Sequence, residues 1–260
     1  MISDIQKVEF DRYGLIYIKN LIPEKLARAA QEVYFEYFAQ KGIRQLGEWV
    51  LDAYPLTSPI NTSAILAKKL KHQKEFIEVM APQVESVVEE LLNGKANTPM
   101  TKYPQLLFTL PNSNEWGVPL GPWHIDVPRF PEGTIPGVQV FTFLDSVRPG
   151  NGGTLAVAGS HKLFNHGISI RSKEIARQLQ KLNYFEDLMT NEAFDRQSIM
   201  DIVGMVEGVN DQVKELTGKP GNIYFMDMRL VHTIGLNAGK IPRAMLTQRY
   251  LLEEFRAKME

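Results

Sequence analysis

No cysteine occurs among the 260 residues. That absence excludes disulfides, thiolate-held metals and a cysteine nucleophile, and it fits a reducing compartment. An excess of one charge is missing too. Lys and Arg number 29 against 30 Asp and Glu, a net charge of −1, so the chain carries no general field for nucleic acid or an anionic membrane. No apolar run approaches the ~20 residues needed to cross a bilayer, and the opening "MISDIQKVEFDRYG" lacks the basic-then-apolar layout of a secretory signal. The expectation is a soluble, cytoplasmic protein whose partner is a small molecule, with neither nucleic acid nor membrane.

What is present reads as an ordinary globular composition, 44% hydrophobic and 23% charged. The length suits one large domain or two small ones. Residues 23–42, "PEKLARAAQEVYFEYFAQKG", open on Pro, close on Gly and keep apolar residues at helical spacing. Residues 72–94 predict a second helical stretch interrupted near Pro82. After about residue 98 the texture changes. Short β-type runs at 104–111, 136–146, 152–159, 221–233 and 244–254 are separated by Gly, Pro and Asn clusters, a rhythm of sandwiches and barrels. The stretch between them that begins at residue 162 is charged and partly helical. The expected organisation is a helical layer over 1–97, a barrel core over 98–161 and 216–254, and an insertion over 162–215 that covers one end as a lid.

The chemistry concentrates in "GPWHIDVP", residues 121–128. Side chains two apart on a strand share a face, so His124 and Asp126 point together. An imidazole and a carboxylate need one more ligand to hold a divalent ion, and two histidines with one carboxylate are the facial set of non-haem Fe(II). Of the other histidines, His72 lies in a polar helical stretch, His166 in the insertion, and His161 in the strand-ending turn "GSHK", where a structural hydrogen bond explains it. His232 ends the apolar run "NIYFMDMRLVH", which a strand could deliver to a barrel mouth. Eleven residues later Arg243 opens the next strand. A buried guanidinium there needs an anion, either a bound carboxylate or one of the chain's own acids. Trp123 is expected to pack the barrel, and Tyr103, Arg129, Phe130, Arg229 and the 161–171 segment are candidate lining of the entrance.

The pair His124-X-Asp126, with "NGGTLAVAGSHK" (151–162), "KPGNIYFMD" (219–227), "HTIGLNAGKIPRAMLTQRY" (232–250) and the opening "FDRYGLIYIKNLIPEKL" (10–26), resembles the phytanoyl-CoA dioxygenase family. The resemblance implies a double-stranded β-helix, the jelly-roll or cupin-like barrel, mainly β with supporting N-terminal helices. It implies an oxygenase that uses Fe(II), 2-oxoglutarate and O2, with succinate and CO2 released. Carried over, His124, Asp126 and His232 would hold the iron, and Arg243 the distal carboxylate of 2-oxoglutarate. Gln105 and Gln139 would be polar neighbours of the cosubstrate. Asp126 favours hydroxylation, or a related desaturation or cyclisation, over halogenation, which needs that coordination position free. Two alternatives stand: a cupin-like metalloenzyme that does not use 2-oxoglutarate, and a non-catalytic binding protein on the same fold.

Overall fold

The computed structural model describes residues 2–55, 60–95, 97–127, 129–169 and 172–256. The chain begins with α1 (Asp4–Tyr13), whose N-terminus is closed by a reciprocal cap. The Ser3 hydroxyl accepts from the Gln6 N–H at 3.2 Å, and the Gln6 side chain accepts from the Ser3 N–H at 2.8 Å. Gly14, in the left-handed region at φ 67°, turns it into β1 (Leu15–Ile18). The long α2 (Glu24–Gln40) follows, then the short pair β2 (Arg44–Gln45) and β3 (Glu48–Trp49). Helices α3 (Ile60–Leu66), α4 (Lys74–Val79) and α5 (Pro82–Leu91) complete the helical layer. Pro82 separates the last two because its ring fits a first turn and breaks an interior.

Strands then dominate: β4 (Asn97–Pro99), β5 (Gln105–Thr109), β6 (Arg129–Phe130), β7 (Gly137–Phe143), β8 (Thr154–Ala158) and β9 (Ile168–Ser169). Helices α6 (Ser172–Leu179) and α7 (Asn183–Met189) lead to β10 (Gly204–Val206) and β11 (Val209–Glu215). The chain finishes with β12 (Ile223–Asp227), β13 (His232–Ile234), β14 (Arg243–Leu252) and the short α8 (Glu253–Arg256).

Two antiparallel sheets face each other without closing. The larger runs β1-β12-β7-β14-β4, with β5 also paired to β14, and the smaller runs β10-β11-β8-β13. Side-chain alternation divides the larger sheet. Its outer face, with Ile16, Val140, Phe225 and Leu246, packs on Tyr34, Phe38, Phe76 and Val88 of the helices. Its inner face, with Phe141, Phe143, Met226 and Met245, meets Ala156 of the smaller sheet. At about 1.5–3 kcal/mol for each large apolar side chain buried, these two layers hold the barrel walls in register. A third cluster joins Leu155, Val157 and Val213 to Phe185 and Leu188 of α7, with Trp123 and Ile125.

Two expectations need correcting. The run 221–233 is not one strand: β12 lies in the larger sheet and β13 in the smaller, so His232 opens a strand rather than ending one. The break is a turn in which the Asp227 carboxylate accepts from the Arg229 backbone N–H at 2.9 Å, and the Leu230 N–H reaches the Asp227 carbonyl. The barrel also resumes earlier than residue 216, because β10 and β11 are strands of the smaller sheet. Helices make up 32% of the chain and strands 26%, yet the sheets carry the candidate site.

Candidate active site

His232 is fixed first by backbone. It lies opposite Ala156 of β8, and on its other side it exchanges both hydrogen bonds with His124, at 2.9 and 3.0 Å. Residues directly opposed in an antiparallel ladder present their side chains to one face. The two imidazoles accordingly lie 4.3 Å apart between ring centroids. Trp123, Ile125 and Val127 all pack into the third apolar cluster, so the alternation turns Asp126 back toward His124 although residue 126 sits in a bend. One Nε2 or carboxylate donor from each of His124, Asp126 and His232 falls within 4.8 Å of the others. His124 Nε2 is 3.8 Å from Asp126 Oδ1, and His232 Nε2 is 3.7 Å from Asp126 Oδ2.

The ring orientations suit metal binding. His232 Nδ1 is 2.9 Å from the Leu230 carbonyl, and His124 Nδ1 is 3.4 Å from that of Pro122. A carbonyl only accepts, so each Nδ1 carries the proton and each Nε2 lone pair faces the centre. Burial depresses the His232 pKa, outweighing the nearby Asp126 charge. Burial presses the Asp126 carboxyl upward, but His232, the Arg249 hydrogen bond and charge, and His124 together hold it below the ordinary carboxylate value. The side chain of His232 is buried while that of His124 is 41% exposed, so the centre opens on the His124 side. A cleft of about 590 Å³ lies there, between Leu120, Pro122, Trp123 and His124 on one wall and Ala176 and Arg177 of α6 on the other.

Arg249 was not foreseen from the sequence. Its Nε donates to Asp126 Oδ2 at 2.6 Å and its Nη1 to Gln105 Oε1 at 3.3 Å. The available signal was parity: Arg249 is six residues past Arg243 on the same strand, hence on the same inner face.

Arg243 stands at the other end of that face. It is 2% exposed, its Nη2 donates to the Thr109 hydroxyl at 2.7 Å, and its Nη1 meets only the Met245 sulfur at 3.7 Å. Its Nε has no partner, and no acid pairs with it among the described residues. Burial lowers its pKa to about 10. The alternative of an ion pair with one of the chain's own acids is therefore not realised among those residues. Gln139 of β7, directly opposite Arg249 in the ladder, is buried, donates to the Thr247 hydroxyl at 3.1 Å and leaves its Oε1 without a partner. Gln105 is exposed and serves as the acceptor for Arg249.

The remaining candidates separate cleanly. His161 is buried with Nε2 3.1 Å from the Asp11 carbonyl, away from the centre, in keeping with a structural turn. His166 is exposed, and His72 lies against Tyr103 in a tilted contact with centroids 4.8 Å apart. Trp123 packs in the apolar cluster and donates to the Pro119 carbonyl. Phe130 is buried in that same cluster. Arg229 lines no entrance: it is 4% exposed and forks onto Asp227 at 3.0 and 2.7 Å. The Arg129 side chain, and Ile170 and Arg171 of the 161–171 segment, lie outside the described residues.

Comparison with curated proteins gave no match in sequence. Among solved structures, the chain is similar to EctD from S. alaskensis, solved with 2-oxoglutarate and 5-hydroxyectoine, at 18% identity over 97% of this chain and 77% of that one, TM-score 0.54. It is also similar to SnoK, described as a non-haem alpha ketoglutarate-dependent carbocyclase from nogalamycin biosynthesis, at 15% identity over 96% and 84%, TM-score 0.55. The epimerase SnoN, in complex with Fe3+, alpha ketoglutarate and nogalamycin RO, gives 15% identity over 95% and 82%, TM-score 0.52. At these identities the likeness speaks for the fold, the double-stranded β-helix expected above. The model of the phytanoyl-CoA dioxygenase family, in contrast, matches residues 10–245. The chain belongs to that family and is a non-haem enzyme dependent on iron and 2-oxoglutarate.

Proposed function

We propose that the chain oxidises an unactivated C–H bond of a small molecule, by hydroxylation in the first instance, with His124, Asp126 and His232 holding Fe(II) and Arg243 anchoring 2-oxoglutarate. The observation that carries the reading is Arg243, a cation enclosed among apolar and hydroxyl groups with one N–H left unpartnered and no acid paired with it among the described residues. Such a group is costly unless an anion arrives, and a planar fork suits a carboxylate. The alternative of a cupin-like metalloenzyme that does without 2-oxoglutarate leaves this arginine without a purpose. Family membership favours an enzyme over a binding protein on the same scaffold.

The donor set fits the metal: two imidazoles aimed by backbone carbonyls and one carboxylate held below its ordinary pKa, in the two-His-one-carboxylate arrangement. Iron and 2-oxoglutarate supply the oxidising chemistry when bound. The chain's own contribution is placement. Thr109 steers the Arg243 fork, Gln139 offers an unused amide oxygen beside Arg249 and Thr247, and Arg249 fixes the Asp126 carboxylate. The cleft beside His124, walled by α6, is our candidate for part of the substrate space, and the 172–201 segment is our candidate lid. Stereochemical inversion or ring closure, the reactions named for SnoN and SnoK, would begin from the same centre and differ in how the substrate lies.

The test is an anaerobic titration with Fe(II) and 2-oxoglutarate, followed by a substrate screen scored by succinate above the uncoupled background. The visible charge-transfer band of the chelate is expected in the wild type and not in His232→Ala. No band in the wild type would sink the reading.

A further inference from the structure

A second recess opens beside the candidate centre, and its chemistry narrows the substrate. Strand β14 is paired by β5 as far as Thr247 and by β4 from Tyr250 onward. The connecting loop 100–104 bows away between them, with the Met100 N–H reaching the Arg249 carbonyl. The gap is a recess of about 370 Å³ whose lining comes from Lys71 and His72, from loop 100–104 with Gln105, and from Thr247 to Arg249.

Its charge is one-sided. Lys71, Lys102 and Arg249 bring cations to it, and none of the lining residues is an acid. This concentration arises in a chain whose overall charge is only −1. Lys71 and Lys102 are exposed and enter no ion pair among the described residues. The Tyr103 ring lies against His72, tilted by 38° with centroids 4.8 Å apart, and has the Lys102 ammonium 5.4 Å from its centroid. The recess also leads directly to the chemistry. Arg249, its inner wall, grips Asp126 by Nε and Gln105 by Nη1, and Thr247 hydrogen-bonds Gln139.

We propose that this recess is the docking subsite for an anionic group of the substrate, a carboxylate or a phosphate, held by Lys71 and Lys102 at the rim and facing Arg249 within. The substrate is then an anion-bearing small molecule whose remaining part extends past Arg249 toward the metal ligands. The assignment rests on the oxygenase reading given above and adds the substrate class to it. His72 and Tyr103 supply an aromatic wall for the group that carries the charge. Arg249 joins the two regions, since the guanidinium that borders the anion also orients a metal ligand.

The test uses hexanoate and hexyl phosphate as probes, with hexanol as the neutral control, titrated calorimetrically at low salt, where charge contacts are least screened. The protein is the full chain, with and without Fe(II) and 2-oxoglutarate under argon. At least one anionic probe is expected to bind tenfold or more tightly than hexanol, and which one binds separates a carboxylate substrate from a phosphate one. The double variant Lys71→Ala/Lys102→Ala should lose at least tenfold in that affinity. Lys68→Ala/Lys69→Ala, which removes two exposed lysines outside the recess, should lose less than twofold. Anions that bind no better than hexanol, or whose binding ignores the first pair or responds equally to the second, overturn the proposal. The chelate band, read in the same samples, reports separately on the oxygenase reading, and its absence leaves the anion titration of the metal-free protein decisive.

Discussion

Arg243 and Arg249 share one face of β14 and live under opposite conditions. The first is sealed in with a threonine and a methionine; the second already holds an acid. Arg243→Ala should therefore act on cosubstrate binding. Truncating one partner of a buried, hydrogen-bonded charge pair costs about 2–5 kcal/mol, at least about thirtyfold in the Kd for 2-oxoglutarate, measured by titrating the chelate band. An unchanged Kd would return Arg243 to a structural role. Arg249→Ala should act on the metal, because it frees the Asp126 carboxylate to rotate away from the two imidazoles. Losses from residues that orient a ligand run about 10–100-fold, so a roughly tenfold weaker Mn(II) or Fe(II) affinity is expected with little change in Tm. The difference in how legible these two residues were has a physical source. A spacing of eleven from a histidine is a pattern along the chain, whereas the Arg249–Asp126 contact spans 123 residues and exists only after two strands and a bend have been brought together.

Among elements, β11 illustrates a strand hidden in a polar sequence. "VNDQVKE" shows only Val209 and Val213 as apolar residues, and half of it faces solvent, so it read as part of an insertion. Only its pairing with β8 reveals it. The opposite holds for 221–233, where a largely apolar run interrupted only by Asp227 and Arg229 in its middle conceals a change of sheet because both halves are buried. Strand β11 also carries a liability. Asp211 is fully buried, neither carboxylate oxygen has a partner, and the Tyr184 hydroxyl of α7 belongs to the same neighbourhood. Burial raises the Asp211 pKa to about 8. The folded chain thus keeps a proton that the unfolded chain, with an ordinary value of about 3.9, has released over the interval between. Stability from this group is full below about pH 4 and declines as pH rises to about 8. Asp211→Asn should flatten that decline, so its Tm should vary less than the wild type's between pH 5 and 8. Parallel pH profiles for the two proteins would show that Asp211 is not its source.

For the molecule as a whole, the jelly-roll class was readable because turn residues punctuate short β-type runs, and the family resemblance followed from residues near both ends of the chain. The recess at Lys71 and Lys102 was not readable: its two lysines come from a helix-bordering loop and a strand-bordering loop, ordinary surface positions in any sequence. Ligand linkage offers a global check. A ligand at a hundredfold excess over its Kd stabilises the native state by about 2.7 kcal/mol, and chains of this size shift by about 2–4 °C per kcal/mol. Mn(II) with 2-oxoglutarate should raise Tm by about 5–10 °C in the wild type, measured by scanning calorimetry, and by less than about 2 °C in His232→Ala.

The reciprocal backbone bonds between His124 and His232 carry a last consequence. Spacing of the imidazoles is dictated by rungs of a sheet rather than by rotamer choice, so two of the three coordinating arms are already poised before any ion arrives. The third, Asp126, is already held by Arg249, so capture needs no rearrangement of the scaffold. Loading and loss of the ion should accordingly be quick and reversible, with the barrel indifferent to whether it is charged.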